Sequence, residues 1–203
     1  MAQKAGIPGF PADWGILGSG GGSCREYKNK LLGMGVALKS GLKIFGGIMN
    51  NDVLEFQCIG MDNGSRFPIE YTGRGQDISP EFLIKNLSPN AKTLAVTLED
   101  LSHPVKDFTH WIIWNIPAAD KIEGNIPAGK VVPMLGNARQ GIGYGLHRYA
   151  GPKPPKEKKH IYRFTVYSLD CEINISANST KRNFLKKAEM YIIQRGSISG
   201  EFE

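Results

Sequence analysis

Phe108-Thr109-His110-Trp111-Ile112-Ile113-Trp114-Asn115-Ile116-Pro117 reads as a strand: aromatic and β-branched side chains follow one another and a proline closes the run. A second run of this texture, His160-Ile161-Tyr162-Arg163-Phe164, comes four residues after Gly151-Pro152-Lys153-Pro154-Pro155. Each run carries a histidine at its head. A histidine at two strand mouths, joined by a tyrosine two residues on from the second, reads as two walls of one small polar pocket.

Working outward, strand candidates recur over residues 53–59, 93–99, 111–115, 161–169 and 197–202, divided by turns such as Asp62-Asn63-Gly64, Ser88-Pro89-Asn90 and Ala118-Ala119-Asp120. Only one long helix is convincing. Asn178, Ser179 or Thr180 can cap it, and Phe184, Leu185, Ala188, Tyr191 and Ile192 form one stripe ending before Gly196. The alternating helices of a parallel βαβ fold are missing. The expectation is a mainly β, antiparallel sandwich-like core with a C-terminal α-helix.

The chain has 203 residues and 41% hydrophobic content, enough for one core domain with an appendage. Residues 1–50 have the texture of the appendage: Gly18-Ser19-Gly20-Gly21-Gly22-Ser23 is a flexible tract, and residues 25–45 carry a partly helical apolar spacing weakened by Gly33, Gly35 and Gly41. The glycine tract lacks the Gly-Lys-Ser/Thr of a phosphate loop. Gly141-Ile142-Gly143-Tyr144-Gly145 fails the dinucleotide fingerprint at Leu146 and reads as a loop. Residues 51–203 form the expected domain.

Cys24, Cys58 and Cys171 are odd in number and widely spaced, so reduced thiols are expected and no metal set. No signal-peptide pattern and no run of 18 apolar residues is present, which points to a cytoplasmic protein without a transmembrane segment, in which the Asn-x-Ser/Thr triplets are chance matches. The net charge of +6 concentrates in Lys153–Lys159 and around Lys181–Lys187. It favours phosphate-bearing partners without choosing among them.

Side chains alternate along a strand, so His160 shares a face with Tyr162, Phe164 and Val166, and strict alternation puts His110 with Ile112, Trp114 and Ile116. In the run from Thr93, the series Leu94, Val96, Leu98 is continued by Asp100. Three apolar faces, each ending in a polar group, make a concave site that holds a ligand's polar head. Imidazoles and a tyrosine hydroxyl donate to an anion; an aspartate orients an imidazole or accepts from an ammonium.

Residues 52–203 resemble the phosphatidylethanolamine-binding proteins, also called Raf kinase inhibitor-like, and most closely their bacterial YbhB/YbcL-type branch. The resemblance rests on Tyr71-Thr72 with Gly75-Gln76-Asp77-Ile78-Ser79-Pro80, on Leu94 to Asp100 with Pro104 and the run from Thr109 to Pro117, and on Tyr149 to Asp170 around the Pro-Pro segment and His160-Ile161-Tyr162. It implies a large antiparallel sheet, a smaller sheet and a C-terminal helix. It also implies an anion pocket of Asp100, His110, Pro155, His160 and Tyr162, which takes phosphorylated head groups such as phosphoethanolamine.

Departures from the family pattern fall at Leu101-Ser102-His103, which loses a proline and a second carboxylate, and at Glu81-Phe82-Leu83-Ile84. His103 reads as a surface-loop residue. His147-Arg148-Tyr149 mimics the pocket pair, but His160 is preferred because the Pro-Pro segment precedes it and a strand follows.

Function is therefore expected to be non-enzymatic binding of a small anion or phospholipid head group, without a cofactor. A regulator that binds a kinase or protease is the alternative. A phosphoester hydrolase ranks below both because no serine or cysteine sits in a nucleophile motif. Basic residues are not interleaved with exposed aromatics on a recognisable module, which argues against nucleic acid. A homo-oligomer stays open.

Overall fold

The computed structural model describes residues 53–203, so the expected extension over residues 1–50 and its short helix lie outside the described residues. Two antiparallel sheets face each other. Strands β1 (Phe56–Cys58), β2 (Phe82–Ile84) and β5 (Lys121–Ile122) form the smaller sheet in that order. The larger, six-stranded sheet runs β6 (Val131–Val132), β7 (Ala138–Gln140), β4 (Phe108–Pro117), β3 (Thr93–Asp100), β8 (His160–Leu169) and β9 (Ile192–Phe202).

β3 lies inside the large sheet and is buried along its whole length. Leu94, Val96 and Leu98 point between the sheets, where Phe82 meets Phe164 edge-on at 5.1 Å and Phe67 packs on both Phe164 and Tyr162. Burying each such side chain contributes about 1.5–3 kcal/mol. The opposite face carries the helix α1 (Lys181–Ala188), whose Thr180 cap accepts from the Asn183 N–H and whose Phe184 packs on Trp114 and Tyr167. There the buried Glu99 accepts from Lys181 and Arg163, a charged strut between helix and sheet. Among the described residues no helix is long and apolar enough to cross a membrane.

Two expectations are corrected. The helix ends at Ala188, and Ile192 instead opens an 11-residue strand. Pairing along β8 from His160↔Phe202 to Leu169↔Ile192, with one register shift after Ser168, supplies a ladder that overrides the helical stripe.

Strict alternation also fails in β4. Its register with β3 shifts twice, so that Leu98 faces Trp111 while Glu99 faces Thr109, and Val96 faces Ile113 while Leu94 faces Ile116. The core therefore takes Trp111, Ile113 and Ile116, whereas Trp114 lies under α1. The second shift falls at Asn115, at φ 59°, whose amide is tied to both backbone groups of Ile173. The first inserts His110 between paired residues and re-aims it toward the core side, as bulges beside functional sites do.

Candidate functional site

The β3–β8 register sets Asp100 opposite Tyr162, one strand position from His160 on the same face. The Asp100 carboxylate accepts from His160 Nδ1 at 2.7 Å through Oδ2 and from the Ser102 N–H at 2.9 Å through Oδ1. Ser102 then accepts from the Ile161 N–H at 2.9 Å through its hydroxyl, fastening the loop after β3 to β8. Both Asp100 oxygens are thus engaged at a buried carboxylate. The rings of His160 and Tyr162 stack with centroids 6.2 Å apart.

His110 completes the cluster, its ring edge-on to Tyr162 at 5.3 Å. Its Nδ1 lies 3.0 Å from the Ala150 carbonyl, which can only accept, so Nδ1 carries the proton. Burial pulls the His110 pKa below its ordinary value, opposed by that carbonyl and by Asp100. Burial, followed by the charge of Asp100, pushes the Tyr162 hydroxyl upward, so it stays a neutral donor.

Three further side chains extend the cluster beyond the expected set. Tyr144 lies 5.4 Å from the His110 ring, and Phe108 sits beside both. The Gly141–Gly145 segment is the expected loop: Tyr144 and Gly145 donate from their backbone to the Thr109 and His110 carbonyls. A Cβ at Gly143 would fall 2.9 Å from the His110 carbonyl, so only glycine permits this approach. His103 is half-buried rather than a free surface residue: it stacks on Phe108 at 3.7 Å, and its Nδ1 accepts from the Val105 N–H.

Of the expected set, Asp100, His110, His160 and Tyr162 come together. Pro155 is exposed, and its carbonyl closes a turn with the Lys158 N–H; the neighbouring Pro154 is buried, its carbonyl accepting from Arg74. His147 bonds instead to the Gln140 carbonyl. Lys153, Lys156 and Lys158 have no ion pair among the described residues, while Lys159 pairs with Glu201.

Among the described residues no group of three or more His, Cys, Asp or Glu side chains could hold a metal ion. Burial pushes the Cys58 thiol up to about 12, which makes it inert. A groove of about 500 Å³ between Lys130, Arg139 and Asn174–Asn178 shares no residue with the cluster. Converging titratable groups, not free volume, mark the site.

The family model described as phosphatidylethanolamine-binding protein matches residues 59–203. A UPF0098 protein of Pyrococcus abyssi is 36% identical over 143 residues, 70% of this chain and 80% of that protein. Among solved structures, a phosphatidylethanolamine-binding protein homologue from Chlamydia trachomatis matches with a TM-score of 0.65 and 25% identity, over 74% of this chain and 97% of that one. Escherichia coli YbcL shares the fold with a TM-score of 0.67 and 22% identity, over 74% and 98% of the two chains.

Proposed function

This chain belongs to the phosphatidylethanolamine-binding protein family, and from that premise we propose that it binds small oxyanions or phosphorylated head groups, phosphoethanolamine among them, without transforming them. The observation that carries this reading is the convergence of Asp100, His110, His160 and Tyr162, with the exposed lysines of the 153–159 segment immediately preceding His160 in the chain. Those lysines raise the local concentration of anions. The Tyr162 hydroxyl and the imidazole Nε2 atoms offer a few placed polar groups over an aromatic floor. We read the chain's motifs as closest to the YbhB/YbcL-type branch of the family. Titrating phosphoethanolamine into the wild type and into His160→Ala tests the reading; equal affinity for both removes this cluster as the binding site.

A regulator docking on a kinase or protease is a second reading, supported by the exposed apolar side chains of Leu101, Val105, Tyr144 and Leu146 in the loops that border the cluster. Its test is a pull-down in which Val105→Ser with Leu146→Ser releases a specific partner. Retention of every partner by this variant argues for ligand binding alone.

A further inference from the structure

Asp77 is not one of the four cluster residues and has its backbone at φ 57°. Its Oδ1 accepts from the Gly151 N–H at 2.6 Å and its Oδ2 from Arg148 at 2.9 Å. Arg148 also donates to the Tyr149 carbonyl, and the Tyr149 hydroxyl donates to the Tyr71 carbonyl at 2.7 Å. Gly151 rests so closely on Tyr71 and Thr72 that a Cβ there would collide with the Tyr71 carbonyl. The segment 148–151 is thereby held at both ends, and the Ala150 carbonyl within it is aimed at His110 Nδ1.

Because that carbonyl only accepts, the neutral His110 ring turns a lone pair outward at Nε2 and not an N–H. We propose that Asp77 is a positioning residue that fixes His110 as a hydrogen-bond acceptor, so that the site selects oxyanions still carrying a proton. This rests on the oxyanion-binding reading above. The titratable groups around the ring are Asp100 from β3, Tyr162 from β8, His103 from the 101–107 loop and Tyr144 from the 141–145 loop. Protonating His110 to receive a bare anion works against its burial, which favours the neutral ring. A ligand that brings its own O–H avoids that cost.

Methyl phosphate and methyl sulfate test this directly. At about pH 5.5 both are mainly singly charged, yet only the phosphate, with a second ionisation near pH 6, keeps an O–H. Each ester is titrated into the wild type, Asp77→Ala and Asp77→Asn, and the ¹⁵N shifts of the His110 ring are recorded in each. The wild type is expected to prefer the phosphate by about tenfold or more, with one Nδ1–H tautomer at His110. In Asp77→Ala the preference falls below about threefold and the tautomers mix. Asp77→Asn keeps an oxygen for the Gly151 N–H and tolerates the positive φ, so it retains both properties. Equal wild-type affinities, or an unaltered tautomer in Asp77→Ala, overturn the proposal. If neither ester binds the wild type, the oxyanion reading falls and the selectivity with it, while the His110 tautomer still reports on Asp77 by itself.

Discussion

His160 Nδ1 and Asp100 Oδ2 stand 2.7 Å apart on adjacent strands of the large sheet. The carboxylate holds the imidazole in one orientation and leaves Nε2 as the ring's free nitrogen. It is itself held by the Ser102 N–H, so the loop after β3 and the histidine of β8 share one anchor.

Asp100→Asn breaks this anchor. If the amide oxygen keeps the Ser102 N–H, the amide NH2 faces His160 Nδ1, so the bond to a carboxylate is lost and the imidazole is driven to its Nε2–H tautomer. We expect a loss of about 1–3 kcal/mol in urea unfolding. An unchanged midpoint would show that the carboxylate contributes little to the fold.

Burial of neutral His110 links stability to pH. Its folded-state pKa lies below the ordinary 6.5, so the unfolded chain takes up a proton first as the solution is acidified. This contribution is complete above about pH 6.5, and it is lost as pH falls from there through the lower folded-state value. Unfolding measured across this window in the wild type and in His110→Gln should show a shallower slope in the variant. Parallel profiles would remove His110 as a source of the dependence.

Gln140, itself buried, holds three groups at once: it accepts from the buried Trp111 indole at 2.8 Å and donates to the Pro127 and Gly129 carbonyls at 2.9 and 3.0 Å. Gln140→Leu leaves the buried Trp111 indole N–H unsatisfied and frees two carbonyls that lie nearer the surface. The expected cost is about 1–3 kcal/mol by chemical denaturation, and a change under about 0.5 kcal/mol would mean that other groups replace the amide.

Tyr144 separates binding from folding. It is 63% exposed, yet its ring borders His110. Tyr144→Ala should leave stability within about 0.5 kcal/mol while weakening oxyanion binding severalfold in calorimetric titration. Unchanged affinity would place the ligand away from this ring.

Much of this was legible in the residues. The series Leu94, Val96 and Leu98 leads to Asp100, and simple alternation joins His160 with Tyr162; the three meet because β3 and β8 pair without a shift across that stretch. His110 reached the same cluster by a different route. Two bulges in β4 carry Trp111, Ile113 and Ile116 into the core, and nothing in a run of bulky side chains marks where an extra residue enters. Tyr144 stayed hidden because its place depends on backbone bonds from one loop to the edge of β4. The glycines flanking it were the available signal. Tyr191 and Ile192 fit a helical stripe by their spacing; pairing with β8, a contact between distant residues, puts Ile192 in a strand and leaves Tyr191 in the turn before it.

Imidazole ¹H–¹⁵N spectra recorded during a phosphoethanolamine titration test the central claim most directly. The account predicts saturable shifts at the rings of His110 and His160, none at His147, and at least about a tenfold loss of affinity in a folded His160→Ala variant. Binding that leaves both rings unmoved, or that survives His160→Ala at full strength, would contradict it.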